Sequence, residues 1–249
     1  MLGDSTRFGI PAHIHVCVTG AGSVILDVKR DKYLGLGREE TEFLADVVAG
    51  WPMPVWRRSV GGDERGHLGE VNAMCESLVA DDVLQRLSAA ETARIVPALH
   101  DMRGEWISMG DELEVPGRLA LRHVLHFLTA FLWARCSLAC RPFYRIVDEV
   151  RSGKARRGGS GIHAWDARRL ATLVDVFRQL RPFLFAAEGH CLLHALTLIR
   201  FLSHYQLHPE WVVGVTTQPW GAHSWVQWGN YLLDSNPEKV CGYTPIMSV

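Results

Sequence analysis

Apolar and polar residues alternate along the first part of the chain in a way that predicts three strands. Residues 13–18, 23–28 and 32–36 are short segments rich in β-branched or aromatic side chains, and polar or glycine residues separate them. A period of two over short segments is typical of strands. The sequence therefore predicts a three-stranded antiparallel meander. Residues 1–10 show no such period, and we interpret them as a loose lead-in.

Helical spacing of the apolar residues follows the meander. The sequence predicts three helices, over residues 38–48, 70–79 and 81–89. Gly50 stands in the stop position of the first helix, and Asp81 can cap the third. Residues 51–68 are rich in proline, glycine and charge, which predicts a loop. Three strands followed by three helices predict a winged-helix-like N-terminal domain over residues 1–90.

The rest of the chain predicts a second domain of helices followed by strands. Residues 91–117 carry five glycine or proline breakers, and we interpret them as a connector. The predicted helices cover residues 118–133, 141–150, 166–180 and 191–205, and the predicted strands cover residues 211–216, 223–228 and 231–234. We predict an α+β fold with the second domain over residues 118–249. Its last fifteen residues are interpreted as a tail packed on the sheet.

The longest apolar stretch lies in the first helix of this second domain. Residues 119–133 are interrupted by Arg122, His123 and His126. The stretch is shorter than the span of a bilayer, so we interpret it as a core helix.

Composition narrows the function classes. The chain has 249 residues, 48% of them hydrophobic, and a formal net charge of −1. A balanced charge gives no general attraction to nucleic acid or to an anionic membrane. The six cysteines are scattered, and no positively charged, apolar leader precedes them. We therefore expect reduced thiols and a cytoplasmic protein.

One cysteine lies at a position typical of a catalytic nucleophile. Cys191 follows Gly189 and opens an apolar run with helical spacing, so its sulfur is predicted at a helix N-terminus, where the partial positive charge favours the thiolate. His223 begins a predicted strand, and a Gly-Asn turn leads back to Asp234 beside it. A thiol, a base and an orienting carboxylate in this order suit nucleophilic acyl chemistry. The alternative is that Cys191 is a buried structural thiol.

Two stretches resemble known families. Residues 24–36, with Asp31, Tyr33 and Leu36, resemble the strand segment of PqqD-like RiPP recognition elements. The series Cys191, Leu192, Ala195, Leu196, Arg200, then Val212 to Val215, then Ala222 to Val226, then Leu233 and Asp234, is similar to the transglutaminase-like protease of lasso peptide biosynthesis. Together the two stretches resemble the fused lasso B protein. Ser224 and Gln227 depart mildly from that pattern.

The resemblance implies a function. In the lasso family, the B protein removes the leader of a ribosomal precursor peptide in the cytoplasm. A partner cyclase similar to asparagine synthetase then closes the macrolactam. It implies Cys191, His223 and Asp234 as the catalytic triad. It also implies a leader that adds a strand to the meander edge and packs against the third helix. The implied groove residues are Lys32, Tyr33, Leu34, Leu36, Val83, Leu84 and Leu87. We expect no directly bound cofactor, because no nucleotide-binding motif is present, and any ATP dependence would come through the partner complex.

Other interpretations remain open. The same triad would serve a transglutaminase-like acyl transferase with an amine in place of water. The protein could instead bind peptide or metal without catalysis, since Cys136 with Cys140, and His190 with Cys191 and His194, offer ligands, though neither group has a mate at zinc-site spacing. The basic, glycine-rich residues 151–161 could be a solvated loop or a contact for phosphate or an acidic peptide.

Overall fold

The chain divides into two compact units, residues 1–99 and 100–249. The computed structural model describes residues 7–56, 68–88, 106–109, 117–155, 164–185 and 190–249.

The N-terminal unit contains the predicted meander. Strands β2 (Ile14–Thr19), β3 (Gly22–Asp27) and β4 (Lys32–Leu36) form an antiparallel sheet in that order. Gly22 opens β3 at φ 143°, and a Cβ there would lie 2.0 Å from the carbonyl oxygen of Leu36, so only glycine fits. Strands β2 and β3 are buried, whereas β4 is exposed over its first four residues and pairs with β3 alone among the described strands.

A second small sheet in this unit contradicts the predictions for residues 1–10 and 81–89. Strand β1 (Arg7–Gly9) lies between β5 (Val48–Ala49) and β6 (Gln85–Leu87), so the predicted lead-in forms a central strand. Helices α1 (Arg38–Val47) and α2 (Leu68–Ala80) match the first two predicted helices.

The predicted third helix over residues 81–89 is wrong. Asp82 takes a left-handed conformation at φ 59°, and the N–H groups of Val83 and Leu84 both donate to the carbonyl of Leu78, which ends α2. The chain then extends into β6. The winged-helix-like arrangement is therefore not confirmed. The side chains of Val83, Leu84 and Leu87 are buried.

The C-terminal unit is built on a five-stranded mixed sheet. Its strands are β7 (Ile107–Ser108), β8 (Glu210–Thr217), β9 (Trp220–Trp228), β10 (Tyr231–Leu232) and β11 (Thr244–Ser248). Their order is β11-β8-β9-β10-β7, and only β10 and β7 run parallel. The predicted tail is thus part of the sheet, because β11 pairs with β8.

The helices of this unit follow the predicted order. They are α3 (Leu121–Cys140), α4 (Phe143–Ala155), α5 (Ala164–Leu180), α6 (Cys191–Ser203) and the short α7 (Pro237–Val240), with a 3₁₀ turn at Arg181–Phe183. Helix α6 packs against α3 on one side and against β9 on the other. This sandwiched position explains why α6 is apolar on almost every face.

Helix α3 corrects the prediction for the longest apolar stretch. It continues to Cys140, and its 20 residues are long and apolar enough, by length and composition, to cross a membrane. One face is buried, with Phe127, Ala130 and Ala134 at its centre. The other face exposes Leu121, Leu125, Leu128 and Leu132. The helix is therefore a core helix on one face only.

Candidate active site

Cys191 is the first residue of α6, as predicted. Its side chain is partly exposed, and the thiol is free of disulfide bonding. His190 precedes the helix and its side chain makes no capping hydrogen bond. The N–H groups of a first helical turn have no partner within the helix, so they and the helix dipole can stabilise negative charge on the sulfur or on an oxygen bound beside it.

His223 lies on β9, opposite Gly214 of β8. The residue is 6% exposed. Its ring stacks on Trp225 two residues along the strand, at 6.1 Å between centroids, and lies 5.2 Å from the ring of Tyr243. Alternate side chains of a strand point to the same face, so His223 and Trp225, which are two residues apart, share one face of β9. The two aromatic rings hold the imidazole in one orientation.

The surroundings of His223 keep its imidazole neutral. Burial lowers the pKa of His223 below 6.5, the positive charge of Lys239 lowers it further, and the carboxylate of Asp234 acts in the opposite direction. A ring with a lowered pKa is unprotonated at neutral pH. His223 is therefore available as a general base.

Asp234 lies in the bend that follows β10, and its side chain is 2% exposed. One carboxylate oxygen, Oδ1, accepts the backbone N–H of Val226 on β9 at 2.9 Å. The other, Oδ2, lies 3.3 Å from Nδ1 of His194 on α6. The carboxylate therefore bridges strand β9 and helix α6.

The structure brings the three predicted residues to adjoining elements but does not join them by hydrogen bonds. Asp234 is close enough for its charge to act on His223, although its hydrogen bonds go to His194 and Val226. Within the described residues, no hydrogen bond connects the Cys191 sulfur to His223. The ring nitrogen Nε2 of His223 instead lies 3.5 Å from the hydroxyl of Ser235.

Comparison with known families gives this region its class. Residues 130–248 match the family model described as the transglutaminase-like superfamily. These residues form a transglutaminase-like domain. The superfamily has a papain-like fold shared by cysteine peptidases and acyltransferases. All three predicted residues lie within the matched range. No curated protein and no solved structure matches the chain.

Two residues of the transglutaminase-like domain were missing from the predicted triad and its surroundings, although His194 had been named as a possible metal ligand. His194 contacts Asp234 from α6, and Ser235 contacts His223. The spacing offered a signal for His194, because residues three apart on a helix share a face and Cys191 stands one turn earlier. Ser235 follows Asp234 directly, and nothing in the local sequence distinguishes it from a loop serine.

The histidines that interrupt the apolar stretch of α3 have structural contacts, and the paired cysteines stand apart from them. His123 is buried and its Nδ1 accepts the N–H of Ala120, while His126 stacks on His204 and contacts the hydroxyl of Tyr205. Among the described residues, no three His, Cys, Asp or Glu side chains converge as a metal site. Cys136 and Cys140 are exposed.

The remaining features lie away from Cys191. Helix α4 takes in residues 151–155 of the predicted basic loop, and residues 156–161 lie outside the described residues. A cavity of about 530 Å³ lies at the C-terminal end of α6, where Trp133, Glu149, Arg200, His204 and His208 line it. That is the opposite end of α6 from Cys191.

Proposed function

We propose that the protein is a cysteine peptidase that binds and removes the leader of a lasso peptide precursor in the cytoplasm. The observation that carries the proposal is a partly exposed thiol at the start of α6 in a transglutaminase-like domain whose packed strand β9 bears a buried, neutral histidine. The similarity of the Cys191, His223 and Asp234 segments to lasso proteases supplies the substrate class.

The proposed reaction uses the triad in sequence. The Cys191 sulfur attacks the carbonyl of the last leader residue, and His223 takes the thiol proton and returns it to the leaving amine. Water then hydrolyses the thioester and releases the leader acid. The backbone N–H of Cys191 is suited to hold the oxyanion, because it belongs to the first turn of α6. Asp234 supports the protonated form of His223 electrostatically.

Strand β4 supports a role in leader binding. Lys32, Tyr33 and Leu34 are exposed on it, and Leu36 is partly buried against the core of the unit. An edge strand can accept an added strand through its main chain while exposed side chains provide selectivity. Val83, Leu84 and Leu87 are left out of the proposed groove, because they belong to a turn and a strand and are buried. Tethering the leader would raise the effective concentration of the cleavage site near the thiol.

The partner assignments belong to the same proposal. A cyclase similar to asparagine synthetase would take the released core peptide and close its ring. We assign any ATP requirement to the complex with that cyclase, and we propose no cofactor bound by this chain itself.

A second candidate function is acyl transfer to an amine. The superfamily includes acyltransferases as well as peptidases, and both begin with the same thioester. The two differ in what resolves that thioester. Water gives a free leader acid, whereas an amine gives an amide of different mass.

Precursor processing tests the proposal. The full chain is incubated with the precursor peptides encoded beside it, with and without an added primary amine. Mass spectrometry then measures the masses of the products. We expect a free leader acid from the wild type, none from Cys191→Ala, and normal cleavage from Cys136→Ala, which removes an exposed thiol of the same unit. Leader binding should survive in Cys191→Ala. Cleavage by Cys191→Ala would overturn the proposal, and an amide product would favour the acyl transferase.

A further inference from the structure

We infer that His194 is a positioning residue that clamps Asp234 and thereby fixes the environment of His223. This inference rests on the proposed function for its meaning in catalysis, but its geometry is independent of the substrate. Nδ1 of His194 lies 3.3 Å from Oδ2 of Asp234, and both side chains are about nine-tenths or more buried.

The carboxylate of Asp234 is held at two points. The backbone N–H of Val226 fixes Oδ1 to strand β9, and the ring of His194 fixes Oδ2 to helix α6. A buried carboxylate with one contact could rotate about its terminal torsion, which is broad and roughly two-fold. Two contacts from different elements leave a single orientation. His194 therefore determines where the negative charge near His223 lies.

The ring of His194 is itself fixed by packing. Phe177 on α5 lies 5.3 Å from it between centroids, and Phe185 lies at 5.1 Å, both edge to face. Nε2 of His194 is buried without a hydrogen-bond partner among the described residues. Because a carboxylate only accepts hydrogen bonds, Nδ1 of His194 is the donor to Asp234.

In the part of the chain that the structure describes, three charged or titratable groups act on His223, namely Lys239, Asp234 and His194. If His194 acts by holding the carboxylate of Asp234, removing it loosens Asp234 and withdraws carboxylate support from His223. The pKa of His223 should then fall. If His194 instead acted as a positive charge, removing it would raise the pKa of His223, since a positive neighbour lowers it.

The test compares three substitutions of His194 in the full chain. His194→Phe keeps an aromatic ring between Phe177 and Phe185 but removes the donor. His194→Asn keeps a donor near the Nδ1 position, and His194→Gln moves the donor to the Nε2 position. His204→Phe is the matched control, because it makes the same change at the other end of α6. Circular dichroism checks that each variant is folded.

The first readout is the titration of the His223 ring by NMR, which needs no substrate. We expect His194→Phe and His194→Gln to lower its midpoint, and His194→Asn and His204→Phe to leave it near the wild-type value. No movement in His194→Phe, or an upward shift, overturns the inference. If His194→Phe does not fold, equal midpoints for the Asn and Gln variants overturn it instead.

The second readout is precursor cleavage. We expect kcat to fall on the order of tenfold or more in His194→Phe with KM nearly unchanged, because a misplaced group near the reacting atoms slows the chemical step. His194→Asn should recover most of the rate, and equal losses in both variants would overturn the inference. If the wild type cleaves no precursor, the proposed function fails while the NMR titration still decides the role of His194.

Discussion

The two units differ in whether the side chains at their proposed functional positions are exposed or buried. The N-terminal unit leaves apolar side chains on the surface, with Leu34 of β4 43% exposed. The C-terminal unit encloses polar side chains, with His194, His223 and Asp234 all buried. A single exposed apolar side chain is common in folded proteins, whereas a cluster of buried ionisable side chains is unusual.

The contrast teaches how each region should respond to change. An exposed apolar edge contributes to binding through area, so one substitution changes affinity gradually. A buried polar cluster depends on orientation and on a full set of partners, so one substitution leaves other groups unsatisfied. We therefore expect large effects on rate in the C-terminal unit and smaller effects on affinity in the N-terminal unit.

The largest effect is expected from His223→Ala. Removing the proposed general base should lower kcat/KM for precursor cleavage by about 10³-fold or more, because neither the thiol proton nor the leaving amine would have a transfer partner. Steady-state cleavage assays measure this loss, and anisotropy with a labelled leader measures binding, which should not change. His204→Ala is the control, and it should stay within a few fold of the wild type. Equal losses in the two variants would remove His223 from the chemistry.

The next effect concerns the fold of the N-terminal unit. Leu84 is 2% exposed in a core cluster with Ile25, Leu44 and Leu78, so Leu84→Ala should cost about 2–5 kcal/mol of unfolding free energy. Leu34→Ala on exposed β4 should cost within about 0.5 kcal/mol. Urea titration measures both. A leader-binding role for Leu84 predicts the reverse, a small change in stability with a large change in affinity.

Part of the N-terminal unit could be predicted from the sequence and part could not. The meander was predictable because its residues alternate and Gly22 marks a turn that only glycine allows. The third helix failed because Val83, Leu84 and Leu87 have a spacing that suits a helix, while Asp82 turns the backbone left-handed at φ 59°. A short apolar run does not by itself distinguish a helix from a strand. The pairing of β6 with β1 decides the structure here, and it joins residues far apart in the sequence, such as Phe8 and Arg86, which are 78 positions apart.

The transglutaminase-like domain shows the same division. The start of α6 at Cys191 and the hairpin of β9 and β10 followed from helical spacing and from the Gly229-Asn230 turn. The contact of Asp234 with His194 did not, because it joins residues 40 positions apart and depends on how α6 packs against β9. Local pattern identified the elements, and tertiary packing chose the partners.

A smaller effect is expected at the β4 edge. Leu34→Asp should weaken leader binding about 10- to 100-fold, because it places a charge where an added strand would bury apolar surface. Anisotropy with a labelled leader measures the change. Val55→Asp is the control, since Val55 is 88% exposed and lies outside the meander. If both variants bind the leader as the wild type does, β4 is not the leader site.

The smallest effect is a difference in pH dependence between the units. Burial is the first cause that lowers the pKa values of His123, His204 and His223, all in the C-terminal unit, below 6.5. The unfolded chain then binds more protons than the folded one below that pH, so stability should be full above about pH 6.5 and should fall as the pH drops below it. We therefore expect the free energy of unfolding to be lower at pH 5.5 than at pH 7.5.

The N-terminal unit should respond in a different window. Burial acts to raise the pKa of Asp27, but hydrogen bonds from Arg30 and Lys29 outweigh it and hold the pKa below 3.8. Its contribution is therefore present above pH 3.8 and is lost only as the pH falls further. Hydrogen exchange at pH 7.5 and 5.5 resolves the two units. Protection should fall at pH 5.5 in α6 and β9 but not in β2 and β3, and His204→Gln should reduce the fall. An equal loss in both units would show that these three histidines do not set the pH dependence.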